Sequence, residues 1–119
     1  MGDNVILNKT YEFAKGIVVL CYKLQTQKKE YVLSKQLLRS GTSVGANAEE
    51  GVGGFSRKDF RFKMSTAYKE ARESRYWLRL IRDTNLMEAR DTLKLLDEVE
   101  VIIKILYKIV KNSGPDNES

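Results

Sequence analysis

The chain has 119 residues, carries 21 Lys and Arg against 16 Asp and Glu for a net +5, and is 31% charged. That length holds one hydrophobic core, since either half alone would bury too little surface to fold. There is no histidine and only one cysteine, Cys21, so the usual zinc and iron ligand sets and an internal disulfide are excluded, and no cofactor is expected.

Met1-Gly2-Asp3-Asn4 offers no basic stretch ahead of an apolar run, and Ile6 stands where a myristoylation motif carries Ser or Thr. The longest apolar run, Gly16 to Tyr22, is too short to span a bilayer. Cys21 lies among apolar residues, as a buried thiol in a reducing compartment would. A cytoplasmic chain without membrane contact is the expectation. The single proline lies near the C-terminus, which leaves long helices unbroken.

The first predicted helix runs from about Val5 to Gln27. Phe13, Ile17, Leu20 and Leu24 form one apolar stripe, and Tyr11, Ala14, Val18 and Cys21 a second, so a broad buried face is predicted. The second, about Tyr31 to Val52, sets Leu37, Gly41, Val44 and Ala48 on one face. Gly41 and Gly45 also share a side, where each costs roughly 1 kcal/mol against alanine unless a neighbouring backbone comes close. Gly51-Val52-Gly53-Gly54 then ends the helix, a glycine in the left-handed conformation being the expected stop.

Ser56 is the expected N-cap of the third helix, about Arg57 to Arg82, with Asp59 in its first turn. Phe60, Met64, Ala67, Ala71, Ser74, Leu78 and Ile81 keep an alternating 4-3 spacing, a seam with small residues at its centre. Asn85 with Glu88 resembles a capping box opening the fourth helix, about Leu86 to Asn112. Between Val99 and Val110 only Glu100, Lys104 and Lys108 interrupt the apolar residues, so the solvated ridge is narrow. Either this helix sits deep in its own bundle or a second copy of the chain covers the surplus, and self-association is the favoured expectation. Residues 1–112 thus read as an all-α domain, an antiparallel up-and-down four-helix bundle. Residues 113–119 read as a polar tail expected to be frayed.

The charge is unevenly placed. Residues 57–82 hold nine basic and three acidic residues, a net +6, whereas residues 83–119 stand at −3. Arg72, Arg75, Arg79 and Arg82 follow 3-4-3 spacing and fall within roughly 80° of helical arc, with Tyr68 on the same arc and Trp77 on another flank. Arginines so arrayed meet phosphates through forked, charge-assisted hydrogen bonds, and an adjacent ring can stack on an unpaired base. The competing interpretation pairs them with Asp91, Asp97 and Glu98 of the fourth helix, within or between subunits.

Enzyme signatures are absent. Gly51-Val-Gly-Gly-Phe-Ser-Arg-Lys58 follows a helix and lacks the Gly-Lys-Ser/Thr ending of a phosphate loop. Cys21 has no histidine to activate it. Glu49 and Glu50, adjacent on a helix, diverge by about 100° and make a poor cation cage with Asp59. Neither catalysis nor a small-molecule substrate is expected.

Ser34-Lys-Gln-Leu-Leu-Arg39, Ser43-Val-Gly-Ala-Asn-Ala-Glu-Glu-Gly51, Ser56-Arg-Lys-Asp-Phe60 and Lys69-Glu-Ala-Arg-Glu-Ser-Arg-Tyr-Trp-Leu78 together resemble the bacterial four-helix-bundle family linked to 23S ribosomal RNA intervening sequences. The resemblance covers nearly the whole chain. It implies the bundle, a homopentamer, and a relation to the basic accessory protein of diversity-generating retroelements, with a nucleic-acid role. Ala48 stands where that family usually has Ile, which removes core volume at this turn. The expected function is low-specificity RNA or DNA binding through Lys58, Arg61, Lys63, Arg72, Arg75, Arg79, Arg82 and Tyr68. The alternative is a protein-interaction scaffold that binds no nucleic acid.

Overall fold

The computed structural model describes residues 2–114, so the predicted tail lies largely outside the described residues. Four helices fill that span: α1 (Gly2–Gln27), α2 (Val32–Val52), α3 (Arg57–Asp83) and α4 (Ala89–Asn112). Each packs on the next and α1 closes onto α4. Connections this short force antiparallel neighbours, and the result is the expected up-and-down bundle, a rod of 52 × 22 × 21 Å. Among the described residues there is no strand, and no helix is long and apolar enough to cross a membrane.

On α1, Ile6, Phe13, Ile17, Leu20 and Leu24 supply the buried face. The second predicted stripe does not follow them inward. Cys21 is buried, but Tyr11 and Val18 stand in solvent at 65% and 49% exposure. A helix that touches only two neighbours can bury only one sector, and the α2 and α4 contacts use it up.

The α1–α2 turn is held by a residue the apolar pattern gives no reason to notice. The Glu30 carboxylate accepts from the backbone N–H groups of Val32, Leu33 and Ser34 at 3.0, 2.8 and 2.8 Å. Three of the four otherwise unpaired donors at the start of α2 are thereby satisfied, and the negative charge faces the positive end of the helix. Lys29, with φ 57°, makes the reversal that brings Glu30 into place.

Along α2 the predicted face, Leu37, Gly41, Val44 and Ala48, is buried throughout. The two glycines serve the close approach their spacing implies. A Cβ on Gly41 would lie 2.8 Å from both Ile17 Cγ1 and Cγ2, and one on Gly45 would meet Thr10 Oγ1 at 3.3 Å and the Thr10 carbonyl at 3.4 Å. Ala48 is buried at full depth despite its small volume. The left-handed glycine expected past α2 is absent. Gly53 sits at φ −84° and ψ 3°, and the chain exits through hydrogen bonds from Gly53 N to Glu49 O (3.1 Å) and from Gly54 N to Gly51 O (3.2 Å).

Ser56 caps α3 as expected, its hydroxyl accepting from Asp59 N at 3.0 Å. The small-centred seam is buried from Met64 to Ile81. At its middle the Ser40 and Ser74 hydroxyls hydrogen-bond each other across the α2–α3 interface at 2.9 Å.

The predicted capping box at Asn85 is replaced by a different device. Asn85 adopts φ 58°, with Leu86 N donating to Ile81 O (3.2 Å) and Asn85 N to Arg82 O (3.1 Å). This crossed pair of bonds closes a helix C-terminus, and Asn is one of the few side-chain-bearing residues that tolerate the left-handed conformation it needs. Asn85 therefore ends α3 and does not begin α4, which starts at Ala89 after Glu88, whose side chain makes no capping bond. Met87 is buried and Leu86 half-buried in the intervening turn.

On α4 most of the apolar surplus is absorbed within the chain. Val99, Ile102, Ile103 and Leu106 are buried, and Ile105, Ile109 and Val110 pack against the core. Leu93, Val101 and Tyr107 remain about half exposed, at 47%, 45% and 52%.

Candidate nucleic-acid interface

The basic side chains of α3 follow from its geometry. With its seam turned inward, α3 presents one flank to α2, another to α4 and a third to solvent. Arg61, Tyr68, Arg72, Arg75, Arg79 and Arg82 fall on or beside the flank facing α4, as the 3-4-3 spacing requires. Lys63 lies on the opposite flank, where it donates to Glu50 of α2 at 2.8 Å. That hydrogen bond raises the Lys63 pKa above its ordinary value. Lys58 is exposed in the first turn of α3.

Within one chain, α4 does supply a partner to the arginine row, but through Glu100 and not through the three acids of the competing interpretation. Arg75 donates to Glu100 Oε1 at 3.1 Å, not to Asp91, Asp97 or Glu98. Asp91 faces Lys23 of α1 at 3.7 Å. Arg82 holds its own neighbour Asp83 through a forked pair of bonds at 2.7 and 3.3 Å, which keeps the Asp83 carboxyl below its usual range. Arg72 lies over the Tyr68 ring, 5.8 Å from its centroid, and Arg79 is exposed. Arg72 and Arg79 are thus exposed, and Arg79 also acts on the Asp83 carboxylate, which Arg82 holds. An exposed ion pair such as Arg75–Glu100 is worth little and exchanges readily for a phosphate.

Two of the predicted positions are less available. Arg61 is half-buried, and its Nε is buried with no hydrogen-bond partner among the described residues. The Tyr68 ring is partly buried between Arg72 and Tyr107, whose centroid stands 6.1 Å away.

The sequence pattern does not point to the network on the other side of α3. Arg39 of α2 bridges Glu70 at 3.2 Å and also contacts Glu73, and the Trp77 indole donates to Glu73 at 3.0 Å. Glu70 and Glu73 are drawn to the α2 flank in this way, leaving the α4 flank almost wholly basic. The spacing of Glu70, Glu73 and Trp77, three and four residues apart, puts them on one side of α3 but does not name Arg39 as their partner.

The remaining reactive groups are structural. Cys21 Sγ donates to Ser34 O at 3.3 Å, and burial pushes its thiol pKa up to about 12, far from a nucleophile's range. Glu49, Glu50 and Asp59 do not converge, and no cluster of three metal-ligating residues occurs among the described residues.

Fold and surface together define a small antiparallel four-helix bundle with one strongly basic helix. The chain belongs to the 23S rRNA-intervening sequence protein family, whose model matches residues 2–108. It is similar to a crystal structure from Bacteroides thetaiotaomicron, a protein with unknown function from the S23 ribosomal protein family. Identity is 43%, the match covers 93% of this chain and 99% of that one, and the TM-score is 0.89. No curated protein matches the chain.

Proposed function

We propose that the protein is a non-enzymatic, cytoplasmic homo-oligomer that binds RNA or DNA with low sequence specificity through the basic surface of α3. The observation that carries this reading is the segregation of charge on that helix. Glu70 and Glu73 are engaged by Arg39 and Trp77 on the α2 flank, whereas Arg72 and Arg79 on the other side are exposed, and the one acid that acts on Arg79, Asp83, is held by Arg82. Lys58, Arg75 and Arg82 extend the surface, and Arg61, Lys63 and Tyr68 frame it. Such an array reads backbone phosphate, not base sequence.

Self-association supports this role by repeating the array around a symmetry axis, which multiplies the effective affinity for one polymer. The exposed Tyr11, Val18 and Tyr22 of α1 (65%, 49% and 68%) are apolar surface suited to subunit contact. Five copies is the number the family resemblance implies.

Fluorescence anisotropy of labelled structured RNA and duplex DNA across a salt series tests the binding reading. Log affinity should fall linearly with log salt. Replacing Arg72, Arg75 and Arg79 by Ala should flatten the slope by about one unit for each phosphate that is no longer neutralised, with helicity and oligomer mass unchanged. Binding that persists unaltered in the triple variant rules out this surface as the site. Absence of binding even at low salt favours the scaffold reading, which the same exposed α1 side chains would serve. A clean protein absorbance ratio at 260 and 280 nm after purification would point the same way.

A further inference from the structure

We propose that the solvent-facing side of α3 is a stacking platform for single-stranded nucleic acid, with Phe62 and Tyr76 as the two rings that take unpaired bases. This inference rests on the nucleic-acid reading above and names the form of polymer it selects.

Positions 62, 69 and 76 are spaced seven apart and lie on one line along α3, and positions 58, 65, 72 and 79 form the adjoining line. The first line carries Phe62, Lys69 and Tyr76 and ends at Asp83, and the second carries Lys58, Ser65, Arg72 and Arg79. Phe62 is 64% exposed and Tyr76 53%, while Lys58, Lys69, Arg72 and Arg79 are all exposed. Phe55, on the turn leading into α3, has its whole ring in solvent.

An apolar ring kept in water on a monomer's surface invites a partner, and the chemistry around these rings says which. A protein partner's apolar core would have to desolvate four cations against one acid on these two lines, Asp83 at the C-terminal end, which Arg82 already holds, at considerable cost. A single strand meets both demands at once: its bases cover the rings and its phosphates meet the cations between. The two rings are about 21 Å apart along the helix at 1.5 Å per residue. The interval, with Lys69 and Arg72 in it, is backbone territory. A duplex cannot use the rings, because its bases are already stacked on each other. Lys63 covers one face of Phe62 at 6.0 Å from the centroid, but the ring keeps most of its surface in solvent. Tyr68, by contrast, has one face under Arg72 and packs against Tyr107, so it offers no open ring face.

The test compares fluorescein-labelled oligouridine with an RNA duplex carrying the same number of phosphates, using the full chain. The wild type should prefer the single strand. Phe62→Ala and Tyr76→Ala should each lower strand affinity by about tenfold, with duplex affinity and the salt slope unchanged. Arg72→Ala with Arg79→Ala should weaken both probes together. Trp77 meets the Tyr76 ring edge-on at 5.2 Å between centroids, so its emission should be quenched by oligouridine and not by the duplex. Equal binding of both probes, unaffected by the ring substitutions, overturns the platform and leaves the phosphate-binding surface standing. A fall in oligomer mass on removing the rings, with strand affinity intact, also overturns it and assigns them to a subunit contact. If neither probe binds at low salt, the underlying function fails as well.

Discussion

Gly41 and Gly45 lie four apart on one face of one helix, yet their surroundings differ enough to predict opposite consequences for the same substitution. A Cβ at Gly41 would strike two carbons of Ile17 at 2.8 Å, and Ile17 is itself fully buried with nowhere to swing. Gly41→Ala should cost about 1–2 kcal/mol, overpacking outweighing the gain in helix propensity. At Gly45 the nearest atom is Thr10 Oγ1 at 3.3 Å, so Gly45→Ala should stay within about 1 kcal/mol of the parent. Thermal denaturation of the two variants side by side checks both. Cys21 makes a separate prediction. Its thiol, at about 12 when folded against about 8.5 when unfolded, keeps its proton longer in the native state. Its contribution is complete below about pH 8.5 and is lost as the pH climbs towards 12, because the unfolded chain releases the proton first. Urea midpoints measured across that window should fall, and Cys21→Ala should be less stable at neutral pH with a shallower alkaline decline. In the native protein at pH 8, a thiol reagent should leave Cys21 unmodified.

At the scale of the helix, the ends are decided by single polar groups. Glu30→Ala removes the acceptor for three backbone donors and should cost about 1–2 kcal/mol, read from chemical denaturation. Asn85→Gly should be neutral or slightly stabilising, and Asn85→Val should cost about 1–2 kcal/mol, since φ 58° penalises a branched side chain. These two residues also show where sequence reading stops. The 3.6-residue period makes the bundle legible, and the buried faces of α2 and α3 fall where the pattern predicts. The period says nothing of a carboxylate outside the helix, so it is blind to Glu30. Asn followed three residues later by Glu satisfies two different rules, and only the backbone shows that Asn85 closes α3 instead of opening α4. The second α1 stripe misleads for a related reason: Tyr11 and Val18 are apolar and well spaced, but burial depends on how many neighbours a helix has. The arginine row is legible as a row, whereas the fate of its partners is not. Which acids face which bases depends on the rotation of each helix, and that rotation turns Glu70 and Glu73 towards α2.

For the molecule as a whole, the seam between α1 and α4 is the place to look for weakness. It opens into grooves of about 420 and 410 Å³ lined by mixed charges such as Lys15, Lys23 and Glu98. It also joins the two elements most distant in sequence. Amide hydrogen exchange should show α1 opening at lower free energy than the α2–α3 pair. If a second copy covers Tyr11, Val18 and Tyr22, light scattering should return a multiple of the 13.7 kDa chain mass, and Val18→Lys should reduce it. The buried hydroxyl pair at Ser40 and Ser74 has a further consequence for assembly of the rod. Long helices with repeating apolar seams can slide past one another by a turn with little change in area buried, and most such slips leave grease against grease. One slip by α3 against α2 would part the two hydroxyls and leave each with only a carbonyl of its own helix, Leu37 for Ser40 and Glu70 for Ser74. A single pair of oxygens thereby biases the two central helices towards one alignment, by about 1 kcal/mol for the bond a slip would forfeit.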